Sequence, residues 1–159
     1  MANIIYLTVT GNQQGLISRG ASTIDSIGNK YQKGHEDEIL IFEVSSNISM
    51  HQNVSFQPLE IRKPIDKSSP LFAQALTNNE ILTCDFAFYR TGMNGGMELY
   101  YKIKLTGASL VNLHCFYPNS VTHNDSQPEE SISIRFKSIT WEHVMAGTST
   151  YSIWDDRSF

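Results

Sequence analysis

The stretch Ser131 to Trp154, SISIRFKSITWEHVMAGTSTYSIW, decides the fold. Ile132, Ile134 and Phe136 alternate with Ser131, Ser133 and Arg135, the period of two of a half-buried strand. Ile139 and Trp141 then fall on odd positions, where the earlier apolar residues are even. One extra residue near Lys137 or Ser138 restores the facing, which predicts a β-bulge there. Ala146-Gly147-Thr148 turns the chain, and Tyr151, Ile153 and Trp154 run back. Both tryptophans lie in this hairpin. Phe136, Ile139, Trp141 and Trp154 are therefore expected to anchor the core.

Upstream, the same alternation recurs. Leu99, Tyr101, Ile103 and Leu105 alternate with Glu98, Tyr100, Lys102 and Lys104. This strand, Glu98 to Val111, pairs as a hairpin with Ile81 to Tyr89 across the Gly-rich turn RTGMNGGM, and continues through Leu110 and Leu113 to Phe116. Ile4 to Thr10 is a first strand, with Ile5, Leu7 and Val9 on one face. Gly11 to Glu38 reads as loops around a short strand. Ile39 to Val44, ILIFEV, is apolar on both faces, so it is buried on both sides, within the monomer or by a neighbouring subunit. Ser45 to Gln57 is polar with few anchors and reads as a long hairpin arm or loop. Leu59 to Arg62 is a strand limited by Pro58 and Pro64.

Ser68 to Asn79, SSPLFAQALTNN, is the one good helix. Ser69 is its expected N-cap, and Pro70 stands first in the helix, where a missing N–H costs nothing. Leu71, Phe72, Ala75 and Leu76 share one stripe, and Asn78 or Asn79 ends it in the left-handed region. At least seven strands and one helix predict a mainly β fold. The expected form is a small antiparallel β-barrel with one flanking α-helix, as a single domain over residues 1–159.

Composition sets bounds. The 159 residues suit one domain, and 40% apolar content supports a core. The net charge of −4 and a pI near 5.7 argue against nucleic acid as a partner. No apolar run approaches a membrane span. MANIIYLTVTG reads as a first strand and not as a signal peptide. Cys84 and Cys115 are distant in sequence and lack neighbouring ligand residues, the pattern of buried small hydrophobes more than of a disulfide or a metal site.

No catalytic, cofactor or metal constellation emerges. Gly92, Gly95 and Gly96 join strand to strand and lack the Gly-Lys-Ser/Thr of a phosphate loop. His35, Glu36, Asp37 and Glu38 are adjacent and cannot all face one ion. His114 and Cys115 point to opposite faces of a strand. Asp155 and Asp156 have no cleft between them, and no nucleophile elbow exists. What needs explaining is apolar character on strand faces that one small barrel cannot hide, which favours an oligomer.

Several segments, in order and spanning nearly the whole chain, resemble the hemolysin-coregulated protein (Hcp) family of type VI secretion. They are IIYLTVTG from Ile4, QGLISRGASTIDSIGNKYQKGHEDEI ending at Ile39, LEIRKPIDKSSPLFAQALTNNEIL from Leu59, YYKIKLTGASLVNL from Tyr100, and the terminal hairpin. The most specific is Lys63-Pro-Ile-Asp-Lys-Ser-Ser-Pro70 followed by its short helix. The resemblance implies a non-enzymatic tube subunit. Six copies form a ring, and rings stack into a hollow tube with spike and sheath proteins as partners and small effector proteins in the lumen. Assembly is expected in the bacterial cytoplasm, with export without a signal peptide and with no effector domain fused. The arm, with Ser49, Met50, His51 and Asn53, matches the family loop that reaches toward the neighbouring ring. Lys102, Lys104, Ser131, Ser133 and Arg135 are the lumen candidates, on strands that the family places around the pore. The alternative reading is a soluble β-barrel module that binds a small ligand or glycan.

Overall fold

The long strand β9, Met97–Phe116, organises the sheet in the computed structural model, which describes residues 3–154. One edge of β9 pairs with β8, Leu82–Thr91. Its other edge takes two strands in succession: β11, Ser138–His143, and then β10, Glu129–Arg135. Beyond β8 lies β1, Ile4–Gly11, which pairs with β2, Gly15–Leu16, and with β3, Ile39–Ile41. Beyond β10 lie β7, Leu59–Pro64, and β4, Glu43–Ser45. β12, Thr148–Ile153, pairs with β11. All these pairings are antiparallel, and the fold is mainly β. A separate two-stranded sheet joins β5, Ile48–His51, to β6, Asn53–Phe56.

The slip in the apolar period comes from a corner and not from the bulge expected at Lys137 or Ser138. Arg135 pairs with Ser109 and Ser138 with Thr106, so the same number of residues separates these pairs on both strands. β9 slips phase at the same place: Ile103 and Leu105 are buried before it, Ala108 and Leu110 after it. Gly107 sits at the corner with φ +59, a left-handed conformation that glycine adopts without steric cost. Against β8, β9 carries one extra residue at this corner, between Leu105 and Ala108, and against β10 it carries another between Leu110 and Asn112, opposite Ser133 and Ile134.

The core gathers Leu7, Val9, Phe86, Leu105, Ile132 and Ile139 from five strands, each buried. Phe136 is also buried, but Trp141 and Trp154 are half-buried and pack against the core from outside. Ile39 to Val44 is not one strand buried on both faces. It splits at Phe42, whose N–H donates to the Arg62 carbonyl as the chain leaves β1 for β7. Ile39 and Ile41 face the core, whereas Phe42 is 40% exposed.

Two α-helices occur among the described residues. α1, Ile24–Ile27, is a single turn within the segment read as loops around a strand. α2, Ser69–Thr77, buries Phe72 and Ala75. Its N-cap residue is Ser68, not Ser69, and Pro70 lies in its first turn. The Ser69 hydroxyl instead accepts the Asp66 N–H at 3.0 Å, holding the loop that enters the helix. Asn79, at φ 49, supplies the left-handed exit.

Candidate assembly surfaces

The motif Lys63–Pro70 builds an ionic node inside the protein. β7 turns the Lys63 side chain inward, where it is 0% exposed. Its ammonium donates to the Pro64 carbonyl at 2.9 Å and the Ser69 hydroxyl at 3.2 Å. It pairs with Asp66 at 3.0 Å and Glu130 at 3.7 Å, and stands 5.5 Å from the centre of the Phe72 ring. The Asp66 carboxylate also accepts from the backbone and hydroxyl of Ser68. A buried lysine requires such company, because an isolated ion in an apolar interior is prohibitively costly. The node ties β7, β10 and the start of α2 together. Enclosed on all sides, it is structural and offers no substrate access.

A second carboxylate secures the N-terminal loop. Glu80, just after α2, accepts N–H donors from the backbones of Gln13 and Gln14 and from the Gln14 side chain, at 2.9 to 3.0 Å. Burial pushes this carboxyl up, but the three donors outweigh it and hold it below the usual carboxylate range.

The arm is a hairpin, β5–β6, standing clear of the main sheet. Its tip residue Gln52 has φ 70. Ser49, Met50, His51 and Asn53 are all exposed. Ile48 pairs with Phe56 and Met50 with Val54, so these four share one face. Ser49, His51, Asn53 and Ser55 form the other. At the root, Phe56 packs edge-on to Phe136 at 6.0 Å and against Trp154 at 5.9 Å.

The five lumen candidates lie on β9 and β10. Lys102 and Lys104 are exposed, with Glu142 and Asp85 respectively among their cross-strand partners. Ser131 is half-buried and borders a shallow groove with Arg62, His114, Phe116 and Glu129. Arg135 is exposed, its guanidinium 5.3 Å from the Trp154 ring centre. Ser133 departs from the expectation of a solvent-facing residue. It is buried, with its hydroxyl 3.5 Å from the Glu60 carboxylate of β7.

The residues weighed for chemistry diverge. The His35 ring stacks flat on Tyr6 at 4.1 Å, while Glu36 accepts from Gly34, Asp37 from Gly20, and Glu38 faces His35. Burial, with Glu38 and Tyr89 behind it, pushes the Tyr6 phenol up to about 12. Among the described residues, no group of three or more His, Cys, Asp or Glu side chains is placed to hold a metal. Both cysteines are free. Cys84 is buried as expected, and burial with a smaller push from Asp85 raises its thiol to about 12. Cys115 is exposed, contrary to expectation, because β9 here runs beyond the core. Asp155 and Asp156 lie outside the described residues.

Sequence reasoning missed a groove of about 440 Å³ at the β9–β10 corner, lined by Ile81, Val111 and Trp154 together with Asn79, Arg135 and Lys137. Its residues come from four separate stretches, so no local pattern announces it.

The chain matches the family model described as "Type VI secretion system effector, Hcp" over residues 6–143. It is 43% identical over 149 residues to the uncharacterized protein YhhZ of Escherichia coli K12, which covers 93% of this chain but only 37% of that one. It is 34% identical over 166 residues to the major exported protein of Pseudomonas aeruginosa, covering 97% of this chain and 96% of the relative. Among solved structures, it superposes on a crystal structure of Hcp protein with a TM-score of 0.93, at 34% identity, covering 98% of this chain and 100% of the other. The secreted protein Hcp3 from Pseudomonas aeruginosa gives a TM-score of 0.89 at 35% identity, again over 98% and 100%. No helix of the described residues is long and apolar enough to cross a membrane.

Proposed function

The chain belongs to the Hcp family, the exported tube proteins of type VI secretion, and on that premise we propose that it is a subunit of a secreted hollow tube. The role is structural and not enzymatic. Six copies close a ring, rings stack through the arm, and small effector proteins travel in the lumen. Spike and sheath proteins are the further partners. The tube assembles in the cytoplasm before export. The observation that carries this reading is the arm: a charge-poor hairpin projecting from a fully packed domain, with Met50 70% exposed. Such a surface is costly in a monomer and useful in an assembly.

The subunit is a barrel in this reading. β4 ends the strand path at β7 while β3 pairs with β1 near the other end, and the two belong to one kinked segment, a continuity that supports closure of the sheet. Lys102, Lys104, Ser131 and Arg135 line the lumen as a mixed polar wall. Ser133, under Glu60, contributes little to it. The domain spans residues 1–159.

Light scattering coupled to size exclusion, followed by negative-stain imaging, tests the proposal. The expected particle is a ring with six times the 17.9 kDa mass of the chain. A monomer at every concentration would overturn the ring. It would favour the second reading, a binding module, for which there is a small cleft between Tyr101, Trp141, His143 and Thr148–Thr150.

A further inference from the structure

We propose that the cleft at the open end of β11 and β12 binds a neutral sugar residue, a pyranose of gluco configuration within a glycan chain. This goes beyond the tube reading and does not depend on assembly.

The cleft forms where the core runs out. Ile139, Trp141 and His143 follow one another on the inward face of β11, and Ile103 and Tyr101 stand opposite Trp141 and His143 on β9. Ile103 and Ile139 are buried, but Tyr101, Trp141 and His143 are only half-buried. Across the other edge of β11, Thr150 pairs with Trp141 and Thr148 with His143, and both threonines are exposed. With Ser149 these residues enclose about 240 Å³. That is below the roughly 300 Å³ at which pockets for larger ligands begin, so the space suits one ring unit of a chain.

The chemistry of the lining selects among ligands. None of the six lining residues is Asp, Glu, Lys or Arg. An anion finds no cation there, and a hard cation no carboxylate. A purely apolar ligand would strip water from the hydroxyls without replacing its hydrogen bonds. What the cleft offers is aromatic surface edged by hydroxyls, complementary to a ring with C–H on its faces and hydroxyl groups at its rim. The gluco configuration fits best, because equatorial hydroxyls leave both faces of the ring apolar.

His143 sets the polarity. Its Nδ1 accepts the Ala146 N–H at 3.0 Å, so the proton of the neutral imidazole sits on Nε2, which is then a donor. The rings of Tyr100 and Tyr101 stand edge-on to it at 6.0 and 6.3 Å and hold it in place. The Thr148 and Thr150 hydroxyls make no hydrogen bond to any described residue, so each is available to donate to and accept from a sugar hydroxyl. Stacking on one ring with a few exchanged hydrogen bonds gives a weak single site, with a Kd on the order of 1 mM. In a multi-copy assembly such sites reinforce one another on a single glycan.

The test uses the full chain with Trp154→Phe, which keeps Trp141 as its sole tryptophan. Titration with cellotetraose should shift the Trp141 emission and saturate in the millimolar range, and saturation-transfer NMR on the unaltered chain should show the same contact. The acidic oligomer tetragalacturonate should bind at least about tenfold more weakly. Thr150→Glu replaces an exposed hydroxyl and should fold, and it should weaken cellotetraose by a similar factor. A flat titration to about twenty times the expected Kd, in both readouts, overturns the site. Binding unchanged by Thr150→Glu overturns its place in the cleft, and equal affinity for tetragalacturonate overturns the neutral class.

Discussion

Lys63 shows how a single residue can be expensive and still fixed by its surroundings. Its ammonium faces two carboxylates, Asp66 and Glu130, in a space closed to solvent. Such a node adds little net stability over an apolar replacement of the whole set, but removing one partner strands the others. Lys63→Met should therefore cost ~3–5 kcal/mol in urea unfolding, measured with an unchanged m-value. A loss below about 1 kcal/mol, the scale of an ordinary substitution, would mean that the carboxylates do not depend on the ammonium. The two thiols give a second residue-level expectation. Cys84 is sealed in the core with its thiol raised to about 12, and Cys115 is open. Disulfide-exchange reagent at pH 8 should titrate one thiol per chain in the native, unassembled subunit and both after denaturation, since only the thiolate reacts. Two native thiols would contradict the burial of Cys84.

At the scale of elements, the corner at Gly107 matters most, because it lets one long strand serve two sheet branches. A Cβ there would meet the Lys137 side chain at 2.9 Å, and φ +59 disfavours any L side chain. Gly107→Ala should cost at least ~1–2 kcal/mol, the penalty of a left-handed conformation. Lys137→Ala should recover only the contact part in chemical denaturation of the double variant; full recovery would show that the backbone there is unstrained. The corner also explains what was legible in the sequence. Strands with one buried face, such as β1, the first half of β9 and the terminal hairpin, announced themselves by alternation, and the arm by its lack of anchors. α2 was readable from Pro70 and its apolar stripe. The phase slip was visible too, but it has two causes that look alike in one strand. Only the register of the partner separates a bulge from a corner. Phe42 misled for a related reason: a continuous apolar run does not reveal a change of pairing partner midway. The half-burial of both tryptophans, the cover over Ser133 and the groove all depend on residues far apart in the chain, which no window of sequence contains.

At the scale of the whole molecule, folding and assembly use separate surfaces. The core is closed by β1, β7 to β11 and α2, and the ionic node fastens it from within. The arm belongs to a different sheet, and only Phe56 at its root joins the packed interior. A charge placed on the stripe should therefore leave the subunit as it was and change only what it joins. Met50→Glu, at a position 70% exposed in the lone subunit, should shift unfolding stability by no more than about 0.5 kcal/mol, the usual range for surface substitutions. In an assembly that buries this position, the same carboxylate must be desolvated without a partner, at several kcal/mol per contact. Repeated around a ring, that penalty is enough to abolish stacking while single rings persist. Chemical denaturation of the dilute subunit and sedimentation of the concentrated protein measure the two halves independently. Unchanged stability with loss of stacks is the expected pair of results. Rings that fall apart would move the arm from the stacking contact to the ring contact, and a destabilised subunit would show that the arm belongs to the fold after all.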